Sequence, residues 1–331
     1  MGSISMEPKS IAFYTAVAVS ILAVLSATTF PTMAQAQEVE DNEEDRSQVQ
    51  EEDGSQVQEE EDETMNEPER GTSEGGATNS NNDGTGRQGQ DELSLASTSG
   101  VVTCGQTITE DVTLTSDLNC SSGDGLIVGA SGITINLNGY KITAGEDASS
   151  SGSSIDYDGS SGILVANVDD VSINGLGEIS YFDKGVTFMG SSGSQIADVQ
   201  LANNRIGALI TGSEHTEISR ATMTSNEYAL ISDSSNGAAV AFNQVVANTK
   251  QGFLFEGSDD NVIAANNMFG NGENGIYLDI MSNGNMVDYN TAFGHNRADL
   301  NNADGQPINV NQNTFGEHNN CGISLPGGLC R

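Results

Sequence analysis

Residues 258–278 read SDDNVIAANNMFGNGENGIYL, from Ser258 to Leu278, and the same outline returns on the N-terminal side of this stretch. Polar turn residues give way to short apolar runs, asparagines stand between the runs, and a glycine opens the last and longest one. Moving outward from Gly275-Ile-Tyr-Leu, that glycine-led run recurs as Gly252-Phe-Leu-Phe, Ala229-Leu-Ile-Ser, Gly207-Ala-Leu-Ile, Gly185-Val-Thr-Phe and Gly162-Ile-Leu-Val. The intervals are 23, 23, 22, 22 and 23 residues. A period this regular is the mark of a solenoid in which each repeat forms one turn. The turns are built of strands, because apolar runs of three or four residues alternate with Gly, Ser, Asn and Asp and nothing sustains a helical apolar face. Stacking such turns sets like residues about 4.8 Å apart, in columns along one axis.

The register this implies can be read column by column. Ile196, Ile218, Val240 and Ile263 form one expected core column, and Leu201, Met223, Val245 and Met268 another. Asn204, Asn226, Asn248 and Asn271 recur with the same period, as do Asn243 and Asn266. Stacked asparagines can bond amide to amide, which would satisfy their donors and acceptors inside the fold.

Beyond the repeats the chain divides by composition. Residues 1–36 read as a secretory signal: Lys9, an apolar run from Ile11 to Leu25, and Ala34-Gln-Ala36 as a cleavage site. An uncleaved anchor is the rival reading, and no later segment could span a bilayer. Residues 37–99 hold 20 acids against Arg46, Arg70 and Arg87 and contain a repeated octad at Ser47 and Ser55; this is the composition of a disordered, self-repelling acidic linker. Residues 100–331 form the expected solenoid, with Val101 to Gly145 starting it and the segment after His295 capping it. The four cysteines fall into two local pairs, Cys104 with Cys120 and Cys321 with Cys330, one at each end of that region. With an export signal they read as disulfides, since neither spacing suits a zinc or redox motif. A net charge of −36 repels phosphate backbones, so nucleic acid is excluded as a partner, while cations and divalent metals are favoured.

The unit from Ser258 to Leu278 resembles the repeat of pectin-lyase-like proteins. It is closest to the branch holding periplasmic copper-enzyme accessory proteins and carbohydrate-binding and sugar-hydrolase domains. Cys104-Gly-Gln-Thr-Ile-Thr, Asp117-Leu-Asn-Cys120 and Gly132-Ile-Thr-Ile-Asn-Leu-Asn-Gly139 resemble the first coils of secreted members. The resemblance runs from about Val101 to the C-terminus and implies an all-β, single-stranded, right-handed parallel β-helix. That fold hosts lyases, hydrolases, epimerases and binders, so it leaves the activity open.

Three columns could carry function. Two residues before the glycine positions stand Asp183, Arg205, Glu227, Lys250 and Glu273, an alternation of sign that reads as a structural charge ladder. Four residues after them come Asp233, Glu256 and Asp279, stacked like charges that would suit a calcium ion or else be solvated turn residues. Between the inward residues lie Leu164, Thr187, Leu209, Ile231, Leu254 and Tyr277, which alternation points outward as an exposed apolar stripe, fit for a loop or a partner. His215, His295 and His318 sit in polar, turn-like sequence, and Asp169-Asp170 and Asp259-Asp260 fall where turns are expected. Gly294-His295-Asn296 faintly resembles a polygalacturonase element, but no lyase, hydrolase or epimerase motif follows in order, and no His or Met cluster has copper-ligand spacing. The sequence therefore reads as a secreted or cell-surface module that binds a polysaccharide or a surface protein without catalysis. A polysaccharide lyase, hydrolase or epimerase is the first alternative, and an accessory factor for an extracytoplasmic copper enzyme the second.

Overall fold

Each repeat folds as three short strands joined at sharp corners, because its apolar runs are too short for one long strand and polar residues interrupt them at fixed places. A computed structural model describes residues 101–145 and 159–331; the expected signal at 1–36 and acidic linker at 37–99 lie outside the described residues. Successive coils stack in parallel into a right-handed β-helix of about nine turns. Among the described residues the first sheet has ten strands, running from Gln106–Ile108 through Ile206–Thr211 to Ser324–Leu325. The second and third sheets have nine strands each; Glu217–Ser219 and Thr222–Thr224 are typical members.

The observed register places the glycine-led runs on neighbouring strands. Val186 pairs with both Ile163 and Ala208, and Phe253 with both Leu230 and Ile276. The second sheet aligns Ile196, Ile218, Val240 and Ile263, and the third aligns Leu201, Met223, Val245 and Met268. All eight are fully buried, and each contributes about 1.5–3 kcal/mol of hydrophobic burial. The glycines head the longest strands because coils approach closely there: a Cβ at Gly185 would lie 2.5 Å from the carbonyl oxygen of Gly207.

The corners are turned by single residues with left-handed backbone, among them Arg220, Phe242, Ala265 and Tyr289 between the second and third sheets. The residue that follows often belongs to a buried ladder. Asn243, Asn266, Asn290 and Asn319 form one, in which each side-chain carbonyl accepts the backbone N–H of the corresponding residue one coil earlier. Asn261, Asn285 and Asn313 form a second at another corner. The third contains Asn204, Asn226, Asn248 and Asn271. Strand direction thus changes inside the protein without stranding backbone donors.

Both ends are covalently pinned. Cys104 is bonded to Cys120 across the first coil, with Cα atoms 5.6 Å apart, and Cys321 to Cys330 in the last, at 5.1 Å. Past His295, in the segment expected to cap the helix, the coils continue. Ala298–Asn302 continues the first sheet, and Thr314–Phe315, Asn320–Cys321 and Ser324–Leu325 add one more coil. The period is masked by the long corner at 303–313, where Asn311 and Asn313 bond to Asn302 and close the core with amides.

Candidate binding face

Alternation along the ten-stranded sheet sends every second side chain to its outer surface. There Leu164, Thr187, Leu209, Ile231, Leu254 and Tyr277 stand in register on six successive strands. The column is half-buried, not exposed as alternation alone suggests: Leu254 keeps 8% and Thr187 5% of its surface. With a strand on either side, each side chain is covered by those above and below it. Thr187 Oγ1 also shares a 2.8 Å hydrogen bond with Ser161 Oγ. At the C-terminal end the column turns polar: Asn301 pairs with Tyr277, and the Tyr277 hydroxyl reaches Asp304 Oδ2 at 3.3 Å.

An acidic edge runs beside it. Asp233 pairs with Glu256, and Asp279 follows on the next strand. Burial first, and then the charges of Asp233 and Asp279, hold the Glu256 carboxyl above its ordinary value. Asp279 is already committed to its own corner, accepting the Ser282 hydroxyl at 2.6 Å and the N–H groups of Gly257 and Met281 at 3.1 Å. Asp233 accepts the Ser234 hydroxyl at 2.9 Å. The three carboxylates are stacked, but among the described residues no three His, Cys, Asp or Glu side chains gather into a group that could hold a metal ion.

The charged column at the corner before this sheet resolves into ion pairs. Asp183, only 4% exposed, accepts from Arg205 Nε, from Arg205 Nη2 at 3.1 Å and from Lys184 Nζ. Burial works to raise its pKa, yet the hydrogen bonds from Arg205 and Lys184 outweigh it and hold the carboxyl below the usual range. Lys250 pairs with Glu227 and lies 5.0 Å from the centre of the Tyr228 ring. Glu273 accepts from Gln251 Nε2 at 2.6 Å. Arg297 adds a sixth step and pairs with Asp304 at 2.9 Å. Sequence reading missed it because Asp299, not glycine, holds the anchor position there.

The three histidines occupy three different corners of the coil. His215 lies between the first and second sheets, His318 between the second and third, and His295 between the third and the first. His318 stacks on Tyr289 with ring centres 4.2 Å apart and meets Asp288 at 3.2 Å, whereas His295 is buried. Asp169 and Asp259 hold turns, accepting the N–H groups of Ser192 and Asn283 at 2.7 Å, and Asp170 and Asp260 have left-handed backbone. None of these is brought together with another into an acid–base pair.

A family model described as periplasmic copper-binding protein (NosD) matches residues 104–320. A search of curated proteins finds no match. Among solved structures, the periplasmic alginate epimerase AlgG is 14% identical, with 66% of each chain covered and a TM-score of 0.47. DFA-IIIase from Arthrobacter chlorophenolicus A6 is 17% identical, covering 55% of this chain and 45% of that one, with a TM-score of 0.44. The Dettilon tailspike protein (gp208) is 16% identical, covering 67% and 55%, with a TM-score of 0.40. The chain thus spans about two thirds or less of the length of these proteins, and the likeness is one of fold.

The family description implies copper, and the donor set can be tested against it. Copper favours imidazole and sulfur ligands gathered at one point. All three histidines of the chain stand at separate corners, and all four cysteines are in disulfides. Among the described residues, imidazole and thiolate ligands are therefore not gathered into a copper centre.

Proposed function

The chain belongs to the periplasmic copper-binding protein (NosD) family, and from that premise we propose that it is a non-catalytic binding module that holds an extended ligand along the outer face of its ten-stranded sheet. Family and disulfides together make the protein extracytoplasmic. No helix among the described residues is long and apolar enough to cross a membrane. What supports the reading is one observation: a column from Leu164 to Tyr277 kept in register over six strands, apolar except at Thr187, edged by Asp233, Glu256 and Asp279. A strip of that kind suits contact with a straight, extended partner more than the enclosure of a reacting group. Its apolar character favours a protein segment, with a neutral polysaccharide as the alternative ligand and Tyr277 as its stacking platform. Acidic polysaccharides are disfavoured by the carboxylate edge.

The test replaces Leu209 and Leu254 by serine together. Loss of partner or polysaccharide retention with the fold preserved supports the proposal, and unchanged retention rejects this face. A second reading, an accessory factor for an extracytoplasmic copper enzyme, is favoured by the family alone. With its histidines at separate corners and its cysteines in disulfides, the chain would act there by contact with the enzyme, and copper titration of the full chain should give no stoichiometric binding.

A further inference from the structure

Along the corner between the third and first sheets, Asn204, Asn226, Asn248 and Asn271 stack as a ladder. Each side-chain carbonyl accepts the backbone N–H of the residue one coil earlier. One coil on, the slot is filled by His295, whose Nδ1 accepts the N–H of Asn271 at 3.0 Å. The His295 side chain is 0% exposed, its Nε2 has no hydrogen-bond partner, and Asp299 Oδ1 lies 4.0 Å from that nitrogen. The ring occupies space that Gly275 leaves open, for a Cβ there would come within 2.7 Å of Nε2. Asp299 in turn ties down the last coil, its Oδ2 accepting the N–H groups of Gly322 and Ile323 at 2.8 Å.

An amide oxygen accepts at any pH, whereas an imidazole nitrogen accepts only while the ring is neutral. Since Nδ1 is the acceptor, the single ring proton is on Nε2, and a second proton can go only to Nδ1. It would then face the N–H of Asn271, donor against donor. Turning the protonated ring towards Asp299 would gain an ion pair but leave the buried Asn271 N–H without an acceptor. Asp299 is the charged group facing the ring; Glu273 and Arg297, on the adjoining turns, are engaged with Gln251 and Asp304.

We propose that His295 is an acid-sensitive latch, in which protonation of Nδ1 breaks the last rung of the asparagine ladder and loosens the C-terminal cap, residues 298–331. Burial pushes the imidazole below its ordinary 6.5, against the opposing charge of Asp299, so the latch is closed at neutral pH. The unfolded chain takes up this proton near 6.5 and the folded chain only lower. The latch's stability is therefore complete above 6.5 and lost as pH falls from there through the folded value.

Hydrogen exchange of the full chain, corrected for intrinsic rates, tests this at about pH 7.5 and about pH 5. Exchange in residues 298–331 should accelerate on acidification by about tenfold relative to residues 184–246, and His295→Asn, which restores the ladder's own residue, should abolish the difference. An equal acid effect in wild type and H295N, or no acceleration of the cap, overturns the proposal. If H295N does not fold, the ring of the wild-type protein decides by NMR. Titration below 6.5 in step with a shift of the Asn271 amide supports the latch, while titration at or above 6.5, or an unmoved Asn271 amide, overturns it.

Discussion

Asn248 shows what one residue does in this fold. Its Oδ1 accepts from Asn226 N–H and from Asn226 Nδ2, while its own Nδ2 donates to the Met223 carbonyl and to Asn271 Oδ1. Asn248→Ala leaves several of these groups buried and unpaired, so the protein should lose about 3 kcal/mol or more in denaturant unfolding. Glu256 works in the opposite sense. Its raised carboxyl holds a proton more tightly folded than unfolded, so the site becomes unfavourable as pH rises above 4.5 through the folded value. Glu256→Gln should therefore stabilise at pH 7, by about 0.5 kcal/mol, with the gain vanishing towards acid; melting curves across pH measure this. The asparagine columns were legible because their period matches that of the glycines. The left-handed corners at Phe242, Ala265 and Tyr289 were not, because no property of those side chains asks for such a backbone. It is imposed by the ladder residue that follows each of them.

At the scale of a strand or a corner, stability comes from what register brings together. Arg205 and Asp183 are 22 residues apart in sequence and bonded through two guanidinium nitrogens. Arg205→Glu places a second carboxylate against buried Asp183 and should cost about 3 kcal/mol or more. Unchanged melting would contradict this pairing. Because Asp183 is held low, its share of stability is present above 3.8 and lost as pH falls through the folded value. At the N-terminal end, replacing Cys104 and Cys120 by serine should lower stability by about 3 kcal/mol in the chain-entropy view. The charge alternation could be read from spacing, and the cysteine pairing from spacing together with the export signal. Asn285 and Asn290 could not, because they stand 24 residues after Asn261 and Asn266, beyond the 22 or 23 of the earlier coils; Arg297 lacks a glycine two residues on, and Asn313 and Asn319 lie across the long corner at 303–313.

For the whole molecule, periodicity fixes architecture more firmly than activity, since a column of like residues forms whether or not it has a ligand. The outward stripe illustrates the limit. Alternation points it outward, but its half-burial depends on strands stacked above and below, which direction alone does not describe. Contact without turnover is the proposal supported by the column from Leu164 to Tyr277, kept in register over six strands. The most direct measurement incubates the purified full chain with neutral and acidic polysaccharides and scores both retention and new chain ends. Binding confined to neutral polymers, or to none of them, with no new ends anywhere is the predicted result. The appearance of reducing or unsaturated ends, lost when the carboxylates of the face are replaced by amides, would contradict it.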